Sequence, residues 1–402
     1  MKILHTVEHY FPSPGGMQEV VRQLSERMVK LGHEVTVATS AHPQRTLKIM
    51  NGVQIKEFAI EGNAVRGMKG AIDSYEKFLL TSEFDIVTNF AAQQWATDIA
   101  LPVLSQIHSK KVFVPTGFSG LHLPEYQNYF GQMKTWMQQY DMNIFLSANY
   151  RDINFAKEHG INKRIIIPNG AAEDEFFITP NKAFRNKYGI AENALLILHV
   201  GSFTGLKGHR EAVEIFLKSK LRDAFLLMIG NGNENVWKSL PLSMRLSFRI
   251  KNLLNNKKIL LTSLNRDEII QAYHAADLFL FPSNIECSPL VLFESMASGT
   301  PFLTSAAGNA AEIIEWTHGG ILVKTDVDRN GYSHVDIKEA AKKLSELARN
   351  KNERDDLAKN GFNAWKKKFT WEKITEQYLE LYKSLLHHIP PIDNMKNHPV
   401  NG

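Results

Sequence analysis

Glu286 and Glu294 are the residues of this chain whose type and spacing most clearly suggest chemistry. The apolar run 276–281 before them predicts a short buried strand. Glu286 should then lie in the loop at the carboxyl end of that strand, and Glu294 inside the following helix. The start of a helix binds anions because its N–H groups and its dipole are positive there. Two carboxylates beside an anion pocket would suit a ligand that carries both phosphate and hydroxyl groups.

The helix after this loop has well-marked expected ends. Ser288 suits the cap, and Pro289 suits the first helical position, where a missing N–H costs nothing. Leu290 and Val291 would then supply backbone N–H groups that face the loop. Gly299 suits the left-handed residue that stops the helix. The expected ligand is therefore anionic and rich in hydroxyls, as a nucleotide sugar is.

This segment resembles the C-terminal signature of the retaining glycosyltransferases of family 4, which have the GT-B fold. In that family two glutamates are separated by seven residues, as Glu286 and Glu294 are here. The resemblance implies that Glu286 lies by the donor sugar and that Glu294 holds the nucleotide ribose. The alternative is an ordinary strand–loop–helix unit whose glutamates are solvated.

A second motif, from Gly201 to Gly208, follows a predicted strand of the C-terminal half. Small residues let the backbone approach a ligand, and Lys207 would meet a phosphate as a point charge. The resembled family has glycine, arginine and then lysine–glycine at these places. Lys207 and Gly208 match, but Ser202 stands in the arginine position. The resemblance implies that Lys207 binds the donor diphosphate; a solvated surface lysine is the alternative.

The motifs of the N-terminal half are looser. Gly15 and Gly16 follow the first strand and open the first helix. The resemblance implies that these glycines lie near the donor phosphates, and the alternative is a plain tight turn. The family often carries a histidine at the end of an N-terminal strand, whereas this chain has Val114 to Phe118 there without one. This departure leaves the acceptor side of the chemistry open.

The two halves of the chain repeat one order of elements: strand, glycine-containing loop, helix, strand. The predicted elements are Ile3–His5, Gln18–Leu31 and Glu34–Thr39 in the first half, and Ile197–His199, His209–Lys218 and Ala224–Ile229 in the second. This order is the start of a Rossmann-like unit, twice. The repeat indicates an α/β protein, and the resemblance implies the GT-B fold, in which two Rossmann-like domains with parallel sheets face each other across a cleft.

Further elements complete the expected domains. Strands are predicted at Gln54–Phe58, Ile86–Asn89, Lys111–Val114, Asn143–Leu146 and Phe302–Ser305, and helices at Ala311–Glu315 and Ile337–Arg349. The expected division is an acceptor-binding domain 1–170, a linker 171–190, a nucleotide-sugar-binding domain 191–368, a helix 369–386 that returns to the N-terminal domain, and a disordered tail 387–402.

Composition restricts the class of protein. The chain has 402 residues and a net charge of +5 that is spread over both halves. Such a spread fits mild attraction to anionic ligands or to an anionic membrane surface, but not a dedicated nucleic-acid binder. No apolar run approaches the roughly 20 residues that span a bilayer, and the first strand is too short for a signal peptide. Cys287 is the only cysteine, so a cytoplasmic, reducing location is expected.

Two further patterns have competing interpretations. The helical pattern Met133, Trp136, Met137, Tyr140 predicts core packing, with a membrane or lipid-acceptor contact as the alternative. The stretch from Trp237 to Leu254 is basic and partly amphipathic. A solvated helix face is the simpler interpretation, and contact with membrane headgroups is the other.

The run Asp326-Val-Asp328 has the form of a metal motif found in the other large glycosyltransferase fold. It also begins like a calcium loop, but that loop needs a carboxylate at its twelfth position, where Ile337 stands. A polar surface turn is therefore expected, and no metal site.

Together with these patterns, the resemblance implies a metal-independent retaining glycosyltransferase of the hexosyltransferase type (EC 2.4). The donor would be a nucleotide-diphosphate sugar, with no other cofactor. The acceptor would be a glycan, a lipid-linked glycan or a small molecule, in polysaccharide or glycoconjugate synthesis. Glu286 and Lys207 are the candidate catalytic residues. A nucleotide-sugar epimerase of the same fold and a non-catalytic sugar-nucleotide-binding subunit are the alternatives.

Overall fold

The computed structural model describes residues 1–179, 181, 183–231 and 242–387, without the side chains at 244, 247–249 and 251–253. The described chain forms two compact units. The first consists of Met1–Leu146, Arg151–Ile167 and the segment that begins at Glu372; the second consists of Ser147–Tyr150 and Pro168–Trp371. The predicted tail 387–402 lies outside the described residues except for His387.

The first unit is built on a mostly parallel sheet. The strands of this sheet are β1 (Lys2–Thr6), β2 (Glu34–Ser40), β3 (Ile49–Met50), β4 (Val53–Phe58), β7 (Ile86–Phe90), β8 (Lys110–Val114), β9 (Met142–Phe145) and β10 (Arg164–Ile166). Strands β5 (Ile60–Asn63) and β6 (Gly67–Gly70) form a separate hairpin. The eight-stranded sheet has the order β10-β9-β8-β7-β1-β2-β4-β3, in which only the edge pair β3–β4 is antiparallel. Strand β1 therefore lies between β2 and β7, where the strand order reverses.

Helices cover the sheet of the first unit. They are α1 (Gly16–Lys30), α2 (Ile72–Thr81), α3 (Trp95–Asp98), α4 (Gln127–Gln139) and α5 (Arg151–Glu158), with short 3₁₀ helices at Leu101–Gln106 and Pro124–Tyr126. The aromatic and methionine pattern of α4 is core: Met133, Met137 and Tyr140 are fully buried, and Trp136 is partly buried against the same core cluster. The core interpretation of that pattern is confirmed.

The second unit repeats the plan with a fully parallel sheet. Its strands are β11 (Leu195–Val200), β12 (Ala224–Ile229), β13 (Lys257–Thr262), β14 (Leu278–Phe281), β15 (Phe302–Thr304) and β16 (Gly320–Leu322), with a hairpin of β17 (Thr325–Val327) and β18 (Ser333–Val335). The order of the six-stranded sheet is β13-β12-β11-β14-β15-β16. Strand β11 thus occupies the same reversal point as β1 does in the first unit.

The described helices of the second unit lie on both faces of this sheet. They are α6 (Glu173–Phe176), α7 (Phe184–Lys187), α8 (His209–Lys218), α9 (Leu242–Asn255), α10 (Arg266–Ala275), α11 (Leu290–Ala297), α12 (Ala310–Thr317), α13 (Ile337–Arg349) and α14 (Lys351–Lys368). Strands buried on both faces are apolar throughout, as Leu278 to Phe281 are here. The α/β class with parallel sheets in two domains is confirmed.

Two expected boundary segments belong to these units, and only the expected linker differs from what the sequence suggested. The expected linker 171–190 contributes Phe176 and Phe184 to the core of the second unit. The last helix, α15 (Trp371–His387), begins in the second unit, and from Glu372 it belongs to the first. There the Tyr382 hydroxyl lies 2.6 Å from that of Thr88.

Candidate active site

The reversal of strand order in the second unit creates the place where a ligand can bind. The connections that leave β11 and β14 run to opposite faces of the sheet, so their loops diverge at the carboxyl ends of neighbouring strands. In open α/β sheets this crevice is the usual ligand site. The loop after β11 holds Gly201, Ser202 and Lys207, and the loop after β14 holds Glu286.

A glycine brings these two loops together. Gly208 has φ +71°, and a Cβ built on it would lie 2.0 Å from the carbonyl oxygen of Pro282. No residue with a side chain fits so close to another backbone. The Asn284 N–H donates to the Leu206 carbonyl at 3.0 Å and ties the loops one step further along. Lys207, between these contacts, is thus directed at the loop that follows β14.

Lys207 and Glu286, both predicted as catalytic, are in direct contact. The Lys207 ammonium donates to Glu286 Oε1 at 2.7 Å, and the Ser283 hydroxyl donates to the same oxygen at 2.8 Å. The glutamate side chain is 10% exposed and the lysine 29%. This partly buried ion pair holds a cation and a carboxylate at a ligand crevice, each able to turn to a ligand. The alternative of a solvated surface lysine therefore does not describe Lys207, which is paired with Glu286 and 29% exposed.

The start of the following helix differs from the prediction. Helix α11 begins at Leu290, and Pro289 is its cap with φ −70° and ψ 114°, so Pro289 as first helical residue and Ser288 as cap are wrong. The Ser288 hydroxyl instead accepts from the Asn309 amide at 3.2 Å, and its carbonyl accepts from Asn169 at 2.9 Å. These tertiary partners hold Ser288 outside the helix.

The rest of that helix agrees with the sequence. The N–H groups of Leu290 and Val291 belong to the first turn, whose N–H groups have no acceptor within a helix. Gly299 has φ +71°, the left-handed geometry expected after the last turn. The N-terminal end of the helix therefore begins one residue later than predicted, after the Glu286 loop.

Glu294 is held by an arginine that the motif analysis missed. Arg266 donates to Glu294 at 2.6 Å and to Glu175 at 2.5 Å. Glu294 is only 8% exposed, and burial of the nearby Tyr273 hydroxyl, together with this carboxylate, raises the pKa of Tyr273. The overlooked signal was position: Arg266 is the first residue of α10, where the helix dipole disfavours a cation. An arginine there needs carboxylate partners from elsewhere in the fold.

The backbone of the Glu286 loop is supported by a segment distant in sequence. The Tyr150 hydroxyl donates to the Glu286 carbonyl. Glu312 accepts from the Ser147 hydroxyl at 2.6 Å and from the Ala148 N–H at 2.7 Å, which fixes the segment that carries Tyr150. Ser147–Tyr150 therefore belongs to the second unit and positions the loop.

Two known protein families match most of the chain. Residues 180–364 match the family described as glycosyl transferases group 1, and residues 14–175 match glycosyltransferase family 4. This chain belongs to the family 4 type of GT-B glycosyltransferases.

Curated relatives of this glycosyltransferase cover nearly its full length or most of it. It is 24% identical to N-acetyl-alpha-D-glucosaminyl L-malate synthase of Bacillus anthracis over 94% of this chain and 96% of the relative. It is also 24% identical to the lipopolysaccharide glucosyltransferase WaaG of Escherichia coli K12, over 78% of this chain and 83% of that enzyme.

Solved structures show the same fold at lower identity. Sucrose-phosphate synthase of Thermosynechococcus elongatus superposes with a TM-score of 0.76 at 18% identity, covering 96% of this chain and 99% of that one. HepE of Anabaena, in complex with UDP and glucose, has a TM-score of 0.73 at 16% identity, covering 96% and 100%. Both support a GT-B fold for this glycosyltransferase.

Two buried histidines lie under the Lys207 loop of the glycosyltransferase. His199 Nδ1 lies 2.8 Å from the Leu280 carbonyl oxygen, and His209 Nε2 lies 3.2 Å from the Gly201 carbonyl oxygen. Because a carbonyl oxygen only accepts hydrogen bonds, both of these nitrogens carry protons. The ring centroids are 4.6 Å apart. Burial lowers the pKa of His199 to about 3 and that of His209 to about 4. Both rings are neutral at pH 7.

These neutral histidines predict a stability that falls in mild acid. The unfolded chain protonates them below pH about 6.5, whereas the folded state resists. Their contribution is therefore complete above pH 6.5 and is lost as pH falls toward 4 and 3. As the pH falls from 7 to 5, each of the two histidines should lower the free energy of unfolding by about 2 kcal/mol. Urea unfolding of His199→Gln should show a pH dependence shallower by about that amount; slopes parallel to wild type would contradict the expectation.

The predicted residues of the first unit occupy an exposed turn. Gly15 caps α1 and Gly16 is its first residue; both are exposed at the carboxyl end of β1. The neighbouring loops after β7 and β8 hold non-glycine residues in the left-handed region, among them Gln93 at φ +64° and Thr116 at φ +59°. Such strain is retained where surrounding contacts determine the backbone. The sequence pattern gave no sign of it.

The run Asp326–Gly331 of the glycosyltransferase belongs to the β17–β18 hairpin. The Asp328 carboxylate accepts from the Asn330 and Tyr332 N–H groups at 2.8 and 3.0 Å. A polar turn is what the sequence predicted. Within the described residues no cluster of three histidine, cysteine or acidic side chains is placed to hold a metal ion, and no helix among them is long and apolar enough to cross a bilayer.

Proposed function

We propose that this glycosyltransferase moves a sugar from a nucleotide diphosphate to a glycan, lipid-linked or small-molecule acceptor with retention of anomeric configuration. The observation that carries the proposal is the Lys207–Glu286 pair, 2.7 Å apart, beside the start of α11 at the strand-order reversal. A cation and a helix start suit the diphosphate, and a carboxylate suits the sugar. The HepE structure, which holds UDP and glucose, supports a nucleotide-sugar donor in this fold.

The chemistry requires stabilisation of a departing phosphate. The acceptor hydroxyl oxygen forms a bond to the anomeric carbon while the bond from that carbon to the phosphate oxygen breaks, and its electron pair stays on the nucleoside diphosphate. The acceptor proton passes to the departing phosphate. Lys207 and the first N–H groups of α11 stabilise the growing negative charge. Glu286 binds the sugar hydroxyls and favours a cationic ring carbon. This proposal needs no metal ion and no covalent enzyme intermediate.

Glu294 is the proposed acceptor for the ribose hydroxyls. Arg266 orients the carboxylate at 2.6 Å, and burial strengthens the hydrogen bonds it accepts. We expect Glu294→Gln to raise the donor dissociation constant by about 10–100-fold, since hydrogen bonds to a charged group contribute about 1.5–3 kcal/mol. Donor titration by calorimetry measures the effect.

The matched control is Glu268→Gln. Glu268 is also paired with a basic residue of the second unit, Lys187 at 2.5 Å, but on the outer surface. Donor affinity should stay at the wild-type value in this variant. An unchanged affinity in Glu294→Gln, or an equal loss in both variants, would contradict the ribose role.

The function is tested by a donor screen followed by turnover. A ligand that binds only the folded state raises the unfolding temperature by mass action. A thermal-shift screen over uridine, guanosine, adenosine and thymidine diphosphate sugars should identify one class that stabilises the protein. That donor should then be hydrolysed slowly alone and transferred when a sugar, lipid-linked or small-molecule acceptor is added. Binding without transfer or hydrolysis would reject the enzyme, and epimerisation without transfer would favour the epimerase.

The names of the relatives suggest a general class of acceptor and a location for this enzyme, but no particular acceptor. The relatives include an N-acetyl-alpha-D-glucosaminyl L-malate synthase, a lipopolysaccharide glucosyltransferase and a D-inositol 3-phosphate glycosyltransferase. Acceptors therefore differ widely among proteins of similar sequence. We propose a cytoplasmic enzyme of glycoconjugate or polysaccharide synthesis that works near the inner membrane surface.

A further inference from the structure

Helix α9 (Leu242–Asn255) exposes an apolar stripe that the donor site does not use. Leu242, Leu246, Ile250 and Leu254 follow one another at intervals of four residues, so they share one side of the helix. Their exposed fractions are 73%, 58%, 55% and 73%. Large aliphatic side chains are ordinarily buried, and an aligned exposed set marks an interaction surface.

The charge of α9 is of one sign. The helix contains Arg245, Arg249 and Lys251 and no acidic residue. A helix with an apolar side and only basic charges has the composition of one that lies in the interface of an anionic bilayer. The net charge of the chain, +5, adds general attraction to such a surface.

We propose that α9 is a membrane-docking helix that inserts its aliphatic stripe between the headgroups of anionic phospholipids. A second copy of the chain fits less well. A twofold contact would bring the basic residues of both copies together, and like charges oppose association. The stripe is also small: about 20 Å of helix by roughly 10 Å presents ~200 Å², whereas a stable interface buries ~800 Å² on each partner.

The test is vesicle flotation of the full chain. The probes are vesicles of phosphatidylcholine alone and of phosphatidylcholine with 30% phosphatidylglycerol. Wild type should float with the anionic vesicles and not with the neutral ones. Leu246→Ser/Ile250→Ser should lower the partition coefficient by about tenfold or more, since partial burial of two aliphatic side chains is lost. Arg249→Gln/Lys251→Gln should lower it by about fivefold for each charge.

The matched control is Leu47→Ser/Ile49→Ser. These aliphatic residues are 62% and 60% exposed but lie in the first unit, away from α9 in sequence. Their replacement should leave flotation unchanged, and an equal loss would overturn the proposal. The proposal is also overturned if the wild-type protein does not float with anionic vesicles. It is overturned as well if light scattering shows a dimer that Leu246→Ser/Ile250→Ser, the stripe variant, converts to a monomer. Unfolding temperature and donor hydrolysis should match wild type in the stripe variant. The proposal therefore succeeds or fails apart from the proposed function.

Discussion

Lys207→Ala should lower kcat for sugar transfer by about 10²–10³-fold. That is the range seen when one preorganised group that stabilises developing negative charge is removed. Lys207 is the described cation nearest to Glu286, with its ammonium 2.7 Å from the carboxylate, and it lies at the carboxyl edge of the sheet. The substitution removes the positive charge that would stabilise the departing phosphate. It also removes one of the two donors to Glu286 Oε1, so that the Ser283 hydroxyl remains. Steady-state kinetics with the donor found by the screen measures the change.

A second lysine separates this effect from the loss of an ion pair. Lys218 pairs with Glu214 at 2.6 Å on α8, in the same unit but on the helix surface. Surface pairs of this kind contribute little to stability, so Lys218→Ala should keep the wild-type kcat. A Lys207→Ala variant that retains more than a tenth of the activity would contradict the electrostatic role.

Gly208→Ala should destabilise the second unit by about 2–5 kcal/mol and abolish donor binding. The left-handed backbone at φ +71° costs an L-residue about 1–2 kcal/mol. The new methyl group would also lie 2.0 Å from the Pro282 carbonyl oxygen, and relief of such an overlap costs about 1–3 kcal/mol more. Because the contact is with backbone, the loops must separate, and Lys207 would then leave Glu286. Urea unfolding and donor titration report the two consequences.

Gly205 provides the control in the same loop. It has φ +85°, yet a Cβ on it would meet nothing within 4 Å. Gly205→Ala therefore carries the backbone strain without the overlap. It should cost only about 1–2 kcal/mol and should keep donor binding. Equal losses in both variants would show that backbone strain, and not the close approach of the loops, explains the effect.

Elements with strong local patterns were predicted almost to the residue. Helices His209–Lys218 and Ile337–Arg349 and strand Ala224–Ile229 have the predicted bounds. The apolar residues of the two helices recur at the helical period, the strand is one continuous apolar run, and the ends of these elements carry turn or capping residues. Asp336, for example, accepts from the Lys338 and Glu339 N–H groups at the start of its helix. Such signals are local, so the sequence suffices to find them.

The ends that were misjudged depend on distant partners. Ser288 has the side chain of a good cap, but Asn309 and Asn169 engage it, and the helix begins one residue later than expected at Leu290. The linker prediction missed that Phe176 and Phe184 pack into the core of the second unit. A side chain with several possible partners takes the one that the tertiary fold brings to it.

The sequence by itself determined the repeated strand–loop–helix plan and the position of Glu286 after one strand and Glu294 within the next helix. Only the tertiary structure decided what these residues contact. Lys207 and Glu286 are 79 positions apart, and they meet because the order of the sheet places β11 beside β14. Arg266 likewise reaches both Glu294 and Glu175. Strand order and loop approach are set by packing over the whole domain, whereas motif and period are properties of a few neighbouring residues.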